Sequence, residues 1–148
     1  MTVNILTNHA VTNGRIRVFG GSQYRPNIHI EDITDLYVQL LTLPDEALAG
    51  RVWNAGYENQ TVADIAAQVQ GVIGAGHVEI ATEPTDDLRS YRISSERIKQ
   101  EIGFVPRHSV RDAVGDLAEA FEAGLIPGAM TDDRYYNVRV MKKLPLGP

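Results

Sequence analysis

Two arginines are the residues best suited to chemistry. Arg25 stands at the mouth of a strand-like segment, just behind the turn Gly20-Gly21-Ser22. Arg89 stands in the polar stretch Asp86-Asp87-Leu88-Arg89-Ser90-Tyr91. A guanidinium is planar, always charged and forked, so beside a cleft it can hold a phosphate through two parallel hydrogen bonds. Each arginine also has an ordinary alternative. Arg25 can be a solvated surface residue, and Arg89 can pair with Asp86 or Asp87, a bond worth little on a surface. Neither arginine decides a function alone.

Other chemistries find less support. Gly71-Val-Ile-Gly-Ala-Gly76 has the glycines of a dinucleotide loop. Such a loop needs a strand before it and a helix after it, so that the helix N-terminus faces the pyrophosphate. Here a helical pattern precedes and a strand pattern follows, so a connecting loop is expected. His9, His29, His77 and His108 lack the spacing of a metal-binding motif, and no metal site is expected from them. His29 is expected half-buried in a strand. Glu83, Asp86 and Asp87 are paired acids, but a loop cluster of that kind is ordinarily solvated surface. There is no Gly-x-Ser-x-Gly elbow. With no cysteine, disulfides, thiolate zinc sites and cysteine nucleophiles are excluded.

The elements that must carry the arginines are of mixed α/β type. Val3, Leu6, Ala10 and Val11 recur near helical spacing, and Gly14 supplies a stop. Residues 15–19 alternate like a strand, as do residues 27–30. Ile33, Leu36, Tyr37, Leu40 and Leu41 form a helical stripe that Pro44 ends. Residues 51–54 suggest a short strand, and residues 77–81 another. Thr61 with Asp64, and Ser109 with Asp112, have the spacing of capping boxes, and short helical patterns cover residues 62–70, 95–102 and 110–123. From Thr131 the chain reads as a tail ending in Pro-Leu-Gly-Pro. The 148 residues suit one domain, taken as residues 1–130 with a tail over 131–148. A net charge of -5 disfavours a nucleic-acid or polybasic membrane surface, and no apolar run approaches the ~20 residues needed to span a bilayer. A cytoplasmic protein is the default expectation.

In order and spacing, three segments resemble a known family. They are residues 14–41 (GRIRVFGGSQYRPNIHIEDITDLYVQLL), residues 50–69 (GRVWNAGYENQTVADIAAQV) and residues 84–114 (PTDDLRSYRISSERIKQEIGFVPRHSVRDAV). They are similar to successive segments in the C-terminal, substrate-binding half of NAD(P)-dependent nucleotide-sugar epimerases and dehydratases, the extended short-chain dehydrogenase/reductase enzymes. The resemblance implies that Arg25 grips the diphosphate of a nucleotide sugar. It implies that Arg89 contacts the phosphate or ribose, that Phe19 lies beside the nucleobase, and that Asn4 falls near a substrate-side asparagine. Pro26 and Asn27 depart from the family pattern, where Asp and an aromatic residue are usual.

The family's hydride chemistry implies a tyrosine followed four residues later by lysine. The six tyrosines, at 24, 37, 57, 91, 135 and 136, are followed instead by Ile28, Leu41, Thr61, Ser95, Arg139 and Val140. The Gly-rich cofactor turn is missing as well. The expectation is therefore a substrate-binding portion with no catalytic residues and no cofactor of its own, NAD(P) belonging to the full-length enzyme. In the family the helix near Glu31 and the strand at residues 52–54 pack on the cofactor half. Ile33, Leu36, Leu40 and Trp53 are accordingly expected to face water and to recruit that half or a second copy. The alternative is a non-enzymatic α/β protein that uses this apolar face as an interaction surface.

Overall fold

In the computed structural model, which describes residues 2–144, strand β1 (Arg15–Phe19) alternates exposed and buried residues along its length. Its buried side chains, Ile16 and Val18, sit at the centre of the main core. β1 pairs in parallel with β4 (Glu79–Glu83), Arg15 opposite Glu79 and Phe19 opposite Glu83. A parallel pair needs a long crossover. Between β1 and β4 the chain supplies β2 (Tyr24–Asn27), α2 (Ile30–Thr42), α3 (Asp45–Leu48), β3 (Glu58–Thr61) and α4 (Val62–Ile73). Helix α1 (Thr2–Asn13) precedes them, and α5 (Glu96–Ile102), α6 (Val110–Glu122) and α7 (Asn137–Lys143) follow.

The main core unites segments far apart in the sequence. Val3, Leu6 and Ala10 of α1 meet Ile65, Ala66 and Val69 of α4 and Val110 and Val114 of α6 over the β1–β4 pair. Both expected capping boxes form. The Thr61 hydroxyl accepts the Asp64 N–H and that of Ser109 accepts the Asp112 N–H, each aspartate reaching back to its cap residue. These caps satisfy donors that a helix start otherwise leaves unpaired.

A second, smaller core forms around Leu36, Ile98 and Phe104, with Ile28, Ile33, Leu40, Trp53 and Ile102 packed against it. This corrects the expected solvent-facing patch, because Leu36 is only 4% exposed. Helix α5 and the segment through Phe104 already cover that side of α2. On this face Leu36 is buried and Ile33, Leu40 and Trp53 are partly covered. The apolar surface of α2 that does meet water lies on its other side, at Ile30, Tyr37, Val38 and Leu41.

Other boundaries also move. The strand expected over residues 27–30 lies earlier, as β2, and pairs antiparallel with β3, Arg25 opposite Gln60. His29 is buried and caps α2 instead of sitting in a strand. Residues 51–54 form no strand. Among the described residues no backbone–backbone hydrogen bond involves Val52 to Ala55, since no strand lies beside them. Gly71 is inside α4, and the connecting loop begins only at Gly74. The expected tail contains a 3-10 turn (Asp133–Tyr135) and α7, while its Pro-Leu-Gly-Pro end lies outside the described residues. Among the described residues no helix is long and apolar enough to cross a membrane.

Candidate functional site

The turn after β1 sets up the arginines. Gly20 has φ +76°, and a Cβ there would come within 2.5 Å of Gln23 Nε2, so the position suits glycine. The tight turn lets the buried Gln23 amide act as a clamp. Its Oε1 accepts the Gly21 N–H at 2.8 Å, and its Nε2 donates to the Phe19 carbonyl at 3.3 Å and the Asp87 carbonyl at 2.9 Å. β1, the start of β2 and the loop after β4 are held together by this one side chain. Tyr24 adds to the join by donating its N–H to Ser90 Oγ at 2.9 Å.

On this support the two arginines meet. Arg25 Nη1 donates to the Tyr24 carbonyl at 2.9 Å and to the Arg89 carbonyl at 2.6 Å. Its Nε and Nη2 edges have no protein partner among the described residues. The guanidinium is therefore oriented by main-chain carbonyls yet keeps donors for an anion. Its carbon lies 5.6 Å from the Tyr91 ring centroid, and that of Arg92 lies 3.6 Å over Tyr24, both within range of attraction between a cation and an aromatic face.

Arg89 is already engaged. Its Nε and Nη2 donate to the two carboxylate oxygens of Asp87 at 2.7 Å each. The side-chain and backbone hydrogen bonds from Arg89, with the field of Arg25 behind them, hold the Asp87 carboxyl far below the usual carboxylate range. The same pairing raises the Arg89 guanidinium above its ordinary value. At Arg89 an incoming phosphate meets Asp87 on the Nε–Nη2 edge and can approach only from the Nη1 side, whereas Arg25 keeps its Nε–Nη2 edge.

Phe19 is half exposed at the end of β1, its carbonyl tied through Gln23 to the Asp87 loop and its ring 5.4 Å from the Arg17 guanidinium. The segments that carry Phe19, Arg25 and Arg89 are thus joined through main-chain carbonyls. Asn4 is placed elsewhere. It lines a cavity of about 450 Å³ with Asn27, His29, Tyr57, His108 and Asp116, which neither arginine borders. Neither arginine lines this cavity or the smaller one bordered by Asn59, Lys99 and Phe104, and the surface that carries them is called the shelf below. Sequence reasoning missed Gln23 and Arg92. A glutamine directly behind a Gly-Gly-Ser turn is the one local signal that pointed to the clamp.

A second polar cluster also forms. His29 and His108, remote in sequence, bring their ring centroids to 4.9 Å. Asp32, buried beneath them, accepts the Arg107 and His108 N–H groups at 3.0 Å each and contacts His108 Nδ1 at 2.9 Å. Burial pushes the Asp32 carboxyl up, but those hydrogen bonds outweigh it and leave the group below its ordinary value. The Asp32 hydrogen bond in turn raises His108.

No protein-family model matches the chain, and no curated protein matches it by sequence. Solved structures do match. L-threonine dehydrogenase from Phytophthora infestans superposes with a TM-score of 0.69 at 15% identity, over 81% of this chain and 40% of its own. ADP-L-glycero-D-manno-heptose-6-epimerase from Helicobacter pylori gives 0.68 at 18%, over 82% and 37%. UDP-glucose 4-epimerase from Thermotoga maritima, solved with UDP-glucose, gives 0.67 at 18%, over 84% and 40%. The chain spans about two-fifths of the length of these enzymes. It shares the mixed α/β fold of part of each of these enzymes.

Proposed function

We propose that this chain is the nucleotide-sugar-binding portion of an NAD(P)-dependent epimerase or dehydratase, and that it performs no hydride transfer alone. The observation that carries this function is the Arg25 guanidinium, fixed by two carbonyls with its remaining donors open. Arg25 neutralises diphosphate charge, Arg89 adds a contact through Nη1 or by exchanging Asp87 for phosphate, and the half-exposed Phe19 ring offers a stacking face for a base. Two of the matched structures are epimerases of nucleotide sugars, which favours this substrate class. Asn4 borders a different cavity, so its assignment to the same substrate has less behind it. NAD(P) supplies the redox step in the complete enzyme. None of the tyrosines here has the lysine four residues on that such chemistry uses, and tight NAD(P) binding by this chain is not part of the proposal. A cytoplasmic location goes with this function.

The test is calorimetric titration with UDP-, dTDP-, GDP- and CDP-sugars. At least one is expected to bind, with affinity falling about tenfold or more in Arg25→Ala, as for loss of a charge-assisted hydrogen bond. Indifference of the chain to every nucleotide sugar overturns the proposal. A non-enzymatic interaction module is the second possibility. It is favoured by the apolar outer face of α2, where Ile30 is 71% and Leu41 87% exposed.

A further inference from the structure

His29 and His108, which line the 450 Å³ cavity, meet the exposed Glu31 in a cluster that the arginine site does not use. One ring nitrogen each of His29 and His108 and a carboxylate oxygen of Glu31 lie within 4.8 Å of one another. The hydrogen bonds dictate which nitrogens carry protons. His108 Nδ1 faces the Asp32 carboxylate at 2.9 Å and so donates, which leaves Nε2, beside Glu31, as the nitrogen a cation would take in place of a proton. His29 Nδ1 accepts the Glu31 N–H at 3.2 Å, so its proton is on Nε2, which faces Asp116 Oδ2 at 3.2 Å. Each imidazole therefore has a carboxylate on one nitrogen, while the other faces Glu31 Oε2 in His108 and accepts the Glu31 N–H in His29. That is the outer-shell arrangement which fixes the tautomer and raises the basicity of metal-bound histidines. His108 Nε2 and Glu31 Oε2 are 3.5 Å apart, close to the roughly 3.4 Å edge of a tetrahedron with ~2.1 Å bonds to nitrogen and oxygen. A cation drawing on His29 Nδ1 gives up one long cap bond and leaves the contact with Asp116 in place.

We propose that His29, His108 and Glu31 form a binding site for a divalent transition-metal cation of the zinc class, with solvent water at the open position. Two imidazoles and one carboxylate suit Zn²⁺ or Co²⁺ better than the oxygen-seeking Mg²⁺ or Ca²⁺. The site stands independently of nucleotide-sugar binding. The experiment is titration of the full chain with Co²⁺, followed by its visible absorption, and competition by Zn²⁺ measured by calorimetry. One equivalent is expected to bind, and Glu31→Gln and His108→Ala each weaken it at least about tenfold. His9→Ala and His77→Ala leave it unchanged. Should His108→Ala fail to fold, Glu31→Gln decides, because that side chain is 65% exposed. Absence of stoichiometric uptake, uptake unaltered in Glu31→Gln, or loss in His9→Ala or His77→Ala overturns the proposal.

Discussion

Arg25 donates Nη1–H to the main-chain carbonyl of Arg89 at 2.6 Å. The contact joins β2 to the loop after β4 through a guanidinium whose other edges stay open. Lysine has a single ammonium on a flexible stem and cannot hold two carbonyls while presenting a second pair of donors. Arg25→Lys is therefore expected to recover only part of the nucleotide-sugar affinity lost in Arg25→Ala. Full recovery in calorimetry would mean that charge alone matters at this position.

Asp87 competes with substrate for Arg89. In Asp87→Asn the bidentate pair weakens and the local negative charge disappears. Affinity for a nucleotide diphosphate is expected to rise by roughly two- to fivefold, in keeping with an exposed pair. A fall in affinity would show that Asp87 serves the shelf by holding Arg89 in place.

Gln23 is the joint beneath the shelf. Gln23→Ala strands the Gly21 N–H and removes donors from two carbonyls in a part-buried position. A loss of about 1–3 kcal/mol is expected, measured by urea denaturation, together with weakened nucleotide-sugar binding as the Asp87 loop detaches. Unchanged stability would remove the clamp from the account.

Asp32 anchors the α2 start to the approach of α6. Asp32→Ala leaves two backbone N–H groups without their acceptor, and about 3 kcal/mol of stability is expected to go with them. Asp35→Ala is the control. Asp35 also contacts Arg107, but as an exposed pair, and should have little effect on the melting temperature.

Trp53, the only tryptophan, reports on pH. Its Nε1–H donates to Glu101 Oε2 at 2.9 Å. The Arg97 hydrogen bond, followed by that of Trp53, holds the Glu101 carboxyl below its ordinary value. A carboxylate with a depressed folded pKa contributes stability above the unfolded value, about 4.3, and loses it as pH falls through the folded one. Trp53 fluorescence is expected to change in that acidic window. Glu101→Gln should abolish the transition; its persistence would place the titrating group elsewhere.

Local signals in the sequence were legible where they were self-contained. The Thr61/Asp64 and Ser109/Asp112 pairs marked two helix starts because a capping box needs only four consecutive residues. The α2 stripe was visible too, but apolar residues lie on both sides of that helix, and only α5 and Phe104 decide which side is covered. β3, Glu-Asn-Gln-Thr, was missed because its residues are polar and its strand character comes from pairing with β2. Residues 51–54 erred in the opposite sense, since β-propensity without a neighbouring strand makes no ladder. Arg25 and Arg89 were identifiable by type. Their meeting, and that of His29 with His108, depends on long-range topology that spacing does not encode.

The packing of α1 against α6 has a consequence for biosynthesis. Val3, Leu6 and Ala10 emerge from the ribosome well before Val110 and Val114, which help to enclose them. Closure of the main core during synthesis therefore waits on α6, and the apolar face of α1 stays uncovered over the intervening stretch. Chaperone engagement with α1 should fall once α6 has emerged.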